Sequence, residues 1–400
     1  MIREISRRKC LRLWLCKPEY MERTKWENRF VLLRFWKKNY MMFLKDLKRF
    51  KMERLYDKLK AYSESDFYAF HMPGHKRNKA LLGIELPYDL DITEIDGFDD
   101  LHHADGILKE EQERAARVFG AEESHFLVNG STAGILSAVM GCTHRGDKIL
   151  VARHCHKSIY HAIYMNGLVP RYVYPEFDIS MHMNGEISKE DVAKALAAEP
   201  DIKAVVIVSP NYDGVVSDVK GIAEVAHSYR IPLIVDEAHG PHFGFHPVFP
   251  ERANDLGADV VINSLHKTLP SLTQTAILHI NGKIVNRRRI KKYLDMLQSS
   301  SPSYIFMASL DTCVDFVDGK CENAFELYVE RLQKFREELK PLQHLQILRT
   351  EHYDISKVVI STANANITSP ELADRLRKEY HLEMEMTGGT YVLAMTTVAD

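Results

Sequence analysis

Four short stretches of this 400-residue chain hold side chains whose types and positions could do chemistry. Lys267 follows the apolar run Val260–Ile262 at a distance of a few residues, with Ser264 and His266 between them. A lysine beyond a buried strand can be desolvated, so that its pKa falls and its amine can attack a carbonyl. Asp236 ends the apolar run Leu233–Val235, and His239 follows it. A carboxylate at a buried strand end needs a cationic or N–H partner. Phe126–Gly134, reading Phe-Leu-Val-Asn-Gly-Ser-Thr-Ala-Gly, has the form strand, glycine turn, helix start. There Gly130, Ser131 and Thr132 would offer backbone N–H groups and two hydroxyls to a phosphate, although Ser and Thr are also ordinary helix caps. Finally, His154, Cys155 and His156 follow the run Lys148–Val151.

Other readings of these stretches are weaker. Asp236-Glu-Ala-His239 matches a helicase motif, but the chain has no G-x-x-x-x-G-K-[ST] phosphate loop to accompany it. Adjacent ligands such as His154 and His156 rarely close a tetrahedron, and the six cysteines form no C-x-x-C pair, so no metal is expected. In His71-Met-Pro-Gly-His75 a rigid Pro-Gly turn is the simpler meaning. The order of the four stretches is more telling: a Gly-Ser-Thr helix start, a His loop, a strand-end Asp and, 31 residues later, Lys267. That order suits a pyridoxal 5'-phosphate (PLP) enzyme. The lysine would carry the cofactor, and an ionised Asp236 would keep the pyridine ring protonated as an electron sink.

The elements that must position these groups follow from the apolar runs. Phe126–Val128, Lys148–Val151, Ala204–Val208, Leu233–Val235, Val260–Ile262 and Ala276–Ile280 alternate with helical segments. Such alternation predicts an α/β fold with a mostly parallel sheet covered on both faces and ligands beyond the strands' carboxyl ends. Helices are expected at Met52–Ser63 and Glu110–Phe119, with an irregular arm over 68–106 lying on another surface. Past Ser300–Ser303 a smaller α+β domain is expected, with helices at Ala324–Lys340 and Pro370–Tyr380 and strands at Leu345–Leu348, Val358–Ile360 and Tyr391–Met395. The domain expectation is therefore a helix and arm over 52–105, a large domain over 106–305 and a small one over 306–400. Because the chain stops just after an apolar strand, that small domain is expected to be incomplete.

Composition is that of a globular protein, with 45% hydrophobic and 27% charged residues and a formal net charge of -2. Residues 1–51 stand apart, with 16 Lys/Arg against 5 Asp/Glu and all three tryptophans. A basic aromatic arm for nucleic acid or an anionic membrane surface is one reading; an upstream extension outside the fold is the simpler one. No apolar stretch approaches the roughly 18 residues a membrane span needs. Unpaired cysteines in a chain of this size suggest the cytoplasm.

The chain resembles the Orn/Lys/Arg decarboxylase family in its short form without a wing domain. The resemblance rests on Phe70–Asn78, Asp99–His103, Val128–Gly134, His154–Ser158, Ser209-Pro-Asn-Tyr-Asp-Gly214, Asp236–Gly240, Ser264–Thr268 and Ser301-Pro-Ser-Tyr304, and it covers roughly residues 52–400. It implies the PLP-dependent transferase fold of type I, with a seven-stranded sheet, and α-decarboxylation of lysine, arginine or ornithine to a polyamine-pathway amine. It also implies roles: Lys267 forms the Schiff base and Asp236 meets the ring nitrogen. His156 stacks on the ring, and His239 lies near the Schiff base. Gly130, Ser131, Thr132, Ser264 and His266 hold the phosphate. A homodimer with shared sites is implied, the Ser301–Tyr304 loop reaching the neighbouring subunit. Asn211 departs from the family's usual Thr, which puts that loop's contacts in question. The competing functions are another reaction of the same fold, such as transamination or aldol cleavage, and a PLP-binding protein without catalysis.

Overall fold

The computed structural model describes residues 53–81, 83–179, 182–348 and 351–400. The basic segment 1–51 lies outside the described residues, as does Met52, the expected start of the first helix. Arg54–Asp400 forms one compact unit.

The helices α1 (Leu55–Ser63) and α2 (Ile107–Val118) precede β1 (Glu123–Leu127). Next come α3 (Gly130–Cys142), β2 (Lys148–Ala152), α4 (Lys157–Asn166), β3 (Val169–Val173) and the small ribbon β4 (Phe177–Asp178) and β5 (Met183–Asn184). The winding continues through α5 (Lys189–Ala198), β6 (Ile202–Val208), α6 (Val219–Ser228), β7 (Leu233–Asp236), β8 (Val260–Asn263), the single turn α7 (Leu265–Thr268) and β9 (Ala276–Ile280). Helices α8 (Arg287–Leu297), α9 (Tyr304–Val317) and α10 (Glu322–Glu338) lead to β10 (Gln346–Ile347), β11 (Lys357–Ser361), α11 (Ser369–Tyr380), β12 (Met386–Thr387) and β13 (Tyr391–Met395).

Seven strands form one sheet in the order β1-β9-β8-β7-β6-β2-β3. Only β9 runs against its neighbours; the pairs β8–β7, β7–β6, β6–β2 and β2–β3 are parallel. The mostly parallel sheet expected from the apolar runs is thus present. A strand covered on both faces buries every side chain, which is why these runs are continuous rather than alternating. Alternation persists in where they point. Ile149, Val151, Ala204, Val206, Ile234, Val260 and Ile262 pack into one core with α3, α4 and α8. Leu150, Val205, Ile207, Leu233, Val235 and Val261 pack into another with α5 and α6. Helix α3 lies so close to the sheet that a Cβ on Gly134 would stand 2.6 Å from Leu127 Cδ1.

A second sheet, β10-β11-β13-β12, is antiparallel throughout. Two expectations need correction. The arm over 68–106 does not lie wholly on another surface, because Ile92, Phe98 and Leu101 are buried in this chain's own core beside Leu55 and Leu108. Its first residues do stay apolar and exposed, at Tyr68, Phe70 and Met72. Tyr304 does not reach outward either. It is fully buried, and its hydroxyl donates to the carbonyl of Asp99.

Candidate active site

Strands β6, β7 and β8 end side by side, with Val208 paired to Asp236 and Asp236 to Ile262. Their carboxyl ends and the start of α3 frame a cleft of about 530 Å³. Gly130, Ser131, Thr132, His156, Asp236, His239, Ser264, His266 and Lys267 all line it, joined by Asn129, His154, Val208, Tyr212, Thr273 and Gln274. The nine residues singled out in the sequence are therefore brought to one place.

Lys267 belongs to the turn α7 rather than to the strand itself, and its side chain lines the cleft. It is half-buried, and its Nζ lies 2.9 Å from His239 Nε2. Burial pulls the Lys267 pKa below that of an ordinary lysine, against the opposing pull of Asp236. Asp236 is 3% exposed. Its Oδ1 accepts from the Ala238 N–H at 3.2 Å, and burial pushes its pKa up to about 6 even though the Lys267 cation lowers it. A carboxyl this poorly satisfied in a cavity wall is a ready acceptor for a ring N–H.

The anion-binding end follows from helix geometry. The first N–H groups of a helix have no partner within it. The N-cap of α3, Asn129, supplies no side-chain cap, because its Oδ1 accepts instead from the Ser299 N–H. Gly130 takes φ +73°, a left-handed turn that costs glycine little, and so aims the helix start into the cleft. The hydroxyls of Ser131 and Ser264 meet there. His266 is anchored by Nδ1 to the carbonyl of Thr275 at 2.8 Å. An uncapped helix start, hydroxyls from two loops, a buried carboxyl and a desolvated amine together fit a cofactor with a phosphate, a basic ring nitrogen and an aldehyde.

The His154–His156 loop divides its side chains. Cys155 packs into the core and its thiol is pushed up to about 12 by burial. His154 faces the cleft, and burial lowers its pKa to about 4. His156 is exposed at the cleft rim, and its Nδ1 accepts from the Ser158 N–H at 3.3 Å as the cap of α4, which fixes the ring plane. Among the described residues no cluster of His, Cys, Asp and Glu could hold a metal ion. Asn211 is occupied in its own loop. Its Oδ1 accepts from the N–H groups of Asp213, Gly214 and Val215, and its Nδ2 donates to the Asn184 carbonyl.

Sequence reasoning missed three polar residues. Tyr212 stacks at a tilt on His239, ring centroids 4.7 Å apart, and its hydroxyl donates to Glu385. Glu385 is exposed, yet its charge is felt at Lys267. Lys357, on β11, is fully buried, and its charge is felt at His239. Tyr212 lies within a stretch already noted, so a closer reading of that loop could have found it. The other two come from the distant second sheet and carry no local signal.

Comparison with known proteins agrees with this geometry. The profile of the family "Orn/Lys/Arg decarboxylase, major domain" matches residues 53–366. The protein YaaO of Bacillus subtilis (strain 168) is 42% identical over 269 residues, covering 66% of this chain and 56% of its own length. The arginine decarboxylase of the same organism is 34% identical over 361 residues, covering 86% of this chain and 74% of its own. Among solved structures, the lysine decarboxylase LdcF of Francisella novicida superposes with a TM-score of 0.76 at 20% identity, over 91% of this chain and 60% of that one. Ureidoglycine–glyoxylate aminotransferase of Bacillus subtilis superposes with a TM-score of 0.60 at 15% identity, over 73% of this chain and 79% of that one, so the fold is that of type I PLP enzymes. The chain spans between 56% and 74% of the length of the two curated relatives.

Proposed function

The chain belongs to the Orn/Lys/Arg decarboxylase family, and from that premise we propose that it binds PLP and removes the α-carboxylate of a basic amino acid. One observation carries the reading: half-buried Lys267, 2.9 Å from His239, shares a cleft with buried Asp236 and the uncapped start of α3.

In this reading PLP, when bound, takes up the electron pair left on Cα as carbon dioxide departs. Lys267 is the amine that meets the cofactor's aldehyde, and its lowered pKa increases the fraction present as a nucleophile. Asp236 accepts the ring N–H. Such a ring cation would favour the charged form of a carboxyl that burial, against Lys267 and the Ala238 N–H, pushes up to about 6. Ser131, Thr132, Ser264 and the N–H groups of α3 hold the phosphate, with His266 at its side. His156, its plane fixed by Ser158, covers the ring face and excludes water. Glu385, held by Tyr212, is the carboxylate best placed for the substrate's distal cation.

Two further readings accompany this one. A homodimer would cover the exposed apolar side chains Tyr68, Phe70 and Met72 of the arm and Phe67 just before it. A cytoplasmic setting is supported by Cys142, Cys155, Cys313 and Cys321, which are all free thiols. The direct test supplies purified protein with PLP and each of arginine, lysine and ornithine, and measures carbon dioxide and amine. Arginine is expected to turn over fastest, because the relatives matched over 86% of the chain act on it by name. Formation of a keto acid without carbon dioxide would replace decarboxylation by transamination.

A further inference from the structure

Consecutive residues of the loop between β6 and α6 tie it to the second sheet. The Tyr212 hydroxyl donates to Glu385, whose own N–H donates to the Leu393 carbonyl at 3.0 Å. The Tyr391 hydroxyl, on β13, donates to Asp213 Oδ1 at 2.6 Å. The Gly214 carbonyl accepts from the Asp354 N–H at 2.8 Å, and Val215 forms an antiparallel bridge with Tyr353. The Val216 N–H donates to the His352 carbonyl at 2.8 Å. Gly214 takes φ +106°, and a Cβ there would stand 2.8 Å from Lys357 Cγ, so the loop lies flush on β11. Within the loop the Asn211 N–H donates to the Val215 carbonyl at 2.8 Å and the Ser217 N–H to Ser209 Oγ at 3.1 Å. The loop therefore holds its own shape and takes its position from what it is tied to.

One of these ties is a buried pair of side chains. Asp213 is 8% exposed and Tyr391 is 5% exposed. An apolar pair would fill that space without the cost of burying a carboxyl. What the hydrogen bond adds is a fixed distance and direction. The residue it fixes most closely is the neighbour of Asp213 in the chain, Tyr212, whose ring lies on His239 with centroids 4.7 Å apart. Tyr212 is 40% exposed whereas His239 is buried, so the tyrosine ring screens the imidazole from solvent. His239 Nε2 in turn lies 2.9 Å from Lys267 Nζ. From Tyr391 to Lys267, every step is a direct contact or a link of the backbone.

We infer that Asp213 and Tyr391 are positioning residues: their buried hydrogen bond ties the second sheet to the loop and seats Tyr212 over His239, beside Lys267. The same bond sets where the Tyr212 hydroxyl presents Glu385. The use of this seating in catalysis rests on the roles given above to Lys267, His239 and Glu385; the seating itself does not.

The test is made on full-length protein without PLP or substrate, so its outcome is separate from that of the decarboxylation assay. Diethyl pyrocarbonate modifies neutral imidazoles, and burial and the nearby cations keep His239 neutral. The rate of modification at His239 is read by mass spectrometry, with His279, fully buried in the first sheet, as the control. Tyr212→Ala removes the cover and sets the upper limit of the rate. Tyr391→Phe and Asp213→Ala should each raise the rate at His239 by about tenfold, the factor that one hydrogen bond to a carboxylate commonly sets, and the double variant should go no further. Asp213→Asn, which keeps an acceptor for the Tyr391 hydroxyl, should stay close to wild type. A folded Tyr391→Phe protein whose His239 reacts at the wild-type rate overturns the proposal. An equal rise at His239 and His279 also overturns it, because the bond would then be holding the fold rather than Tyr212. If neither Tyr391→Phe nor Asp213→Ala folds, the wild-type protein decides: a His239 that reacts as fast there as in Tyr212→Ala is not covered, and the proposal fails, whereas a protected one supports it.

Discussion

Two groups of buried charge lie in the same compact unit, and they are built differently. Between α1, α2 and α9, Asp311 accepts from Arg54 Nε at 3.0 Å and from Arg114 Nη2 at 2.5 Å, and both guanidinium groups also reach its carbonyl. Arg54 and Arg114 further pair with Asp315, and Arg114 with Glu111, so each cation meets a carboxylate directly. Burial, and then Asp311, push the Glu111 carboxyl up to about 9, against the pull of the two guanidinium groups. In the cleft, by contrast, no ion pair within 4 Å is formed by Lys267, Asp236 or Lys357 among the described residues. Lys267 meets a neutral imidazole, Asp236 accepts one backbone N–H, and Lys357 meets no partner. The first group spends its charge on holding helices together. The second keeps its valences open for something that is not part of the chain.

That contrast can be broken by substitution. The largest effect is expected from Lys267→Ala. Decarboxylation should fall by about four powers of ten or more, as when a covalent nucleophile is removed, and the visible absorbance that PLP acquires on a lysine of the protein should vanish. Thermal unfolding of the cofactor-free protein should be unchanged or slightly raised, because a desolvated cation without a salt bridge has been removed. Asp311→Ala should do the reverse. Leaving Arg54 and Arg114 without their shared carboxylate should cost about 3–5 kcal/mol in denaturant unfolding, while turnover per folded, PLP-loaded molecule stays close to wild type. Equal loss of stability in the two variants would erase the distinction.

Asp236→Asn sharpens the contrast through pH. In the cofactor-free protein Asp236 has its pKa raised from 3.8 to about 6. The folded chain therefore binds more protons than the unfolded chain between those values, and stability falls as pH rises through that window. Full ionisation costs the folded state roughly 3 kcal/mol by neutral pH. Asp236→Asn should remove that slope and make the cofactor-free protein more stable at pH 7, measured by denaturant unfolding at several pH values. The same change should lower turnover by about 10²–10³-fold, as with other losses of preorganised electrostatics. A variant that is both less active and less stable at pH 7 would place Asp236 with the structural group.

How far the sequence reaches is visible in the same residues. Lys267, Asp236 and Ser131 each follow a continuous apolar run, and such runs mark strands buried on both faces, whose carboxyl ends must meet. Strand β3, Val169-Pro-Arg-Tyr-Val173, was not legible because it is the sheet's edge, half open to solvent and without an apolar run. Helix α9 escaped for the opposite reason, being buried on most sides and so lacking a polar face to set a period. Lys357 opens the run Val358–Ile360 just as an ordinary solvated flank does. Its burial is decided by Gly214 and Tyr353, one of them more than 140 residues away in the sequence. Tyr304 looked like a loop residue for a neighbouring subunit, but its hydroxyl is satisfied by a carbonyl of its own chain.

The smallest effect belongs to Glu385, whose carboxylate is exposed to solvent. Glu385 is held by the Tyr212 hydroxyl and so keeps acceptor capacity for a further donor. A hydrogen bond to a charged group contributes about 1.5–3 kcal/mol, so Glu385→Gln should raise KM for the preferred basic amino acid by about 10–100-fold. If Glu385 binds the distal cation alone, kcat should change little, because that end of the substrate does not alter as the α-carboxylate leaves. Tyr212→Phe should move KM in the same direction by less, since it loosens Glu385 without removing its charge. A fall in kcat at unchanged KM would move Glu385 from the substrate's far end to the reacting carbon, and so into the group of open charges around Lys267.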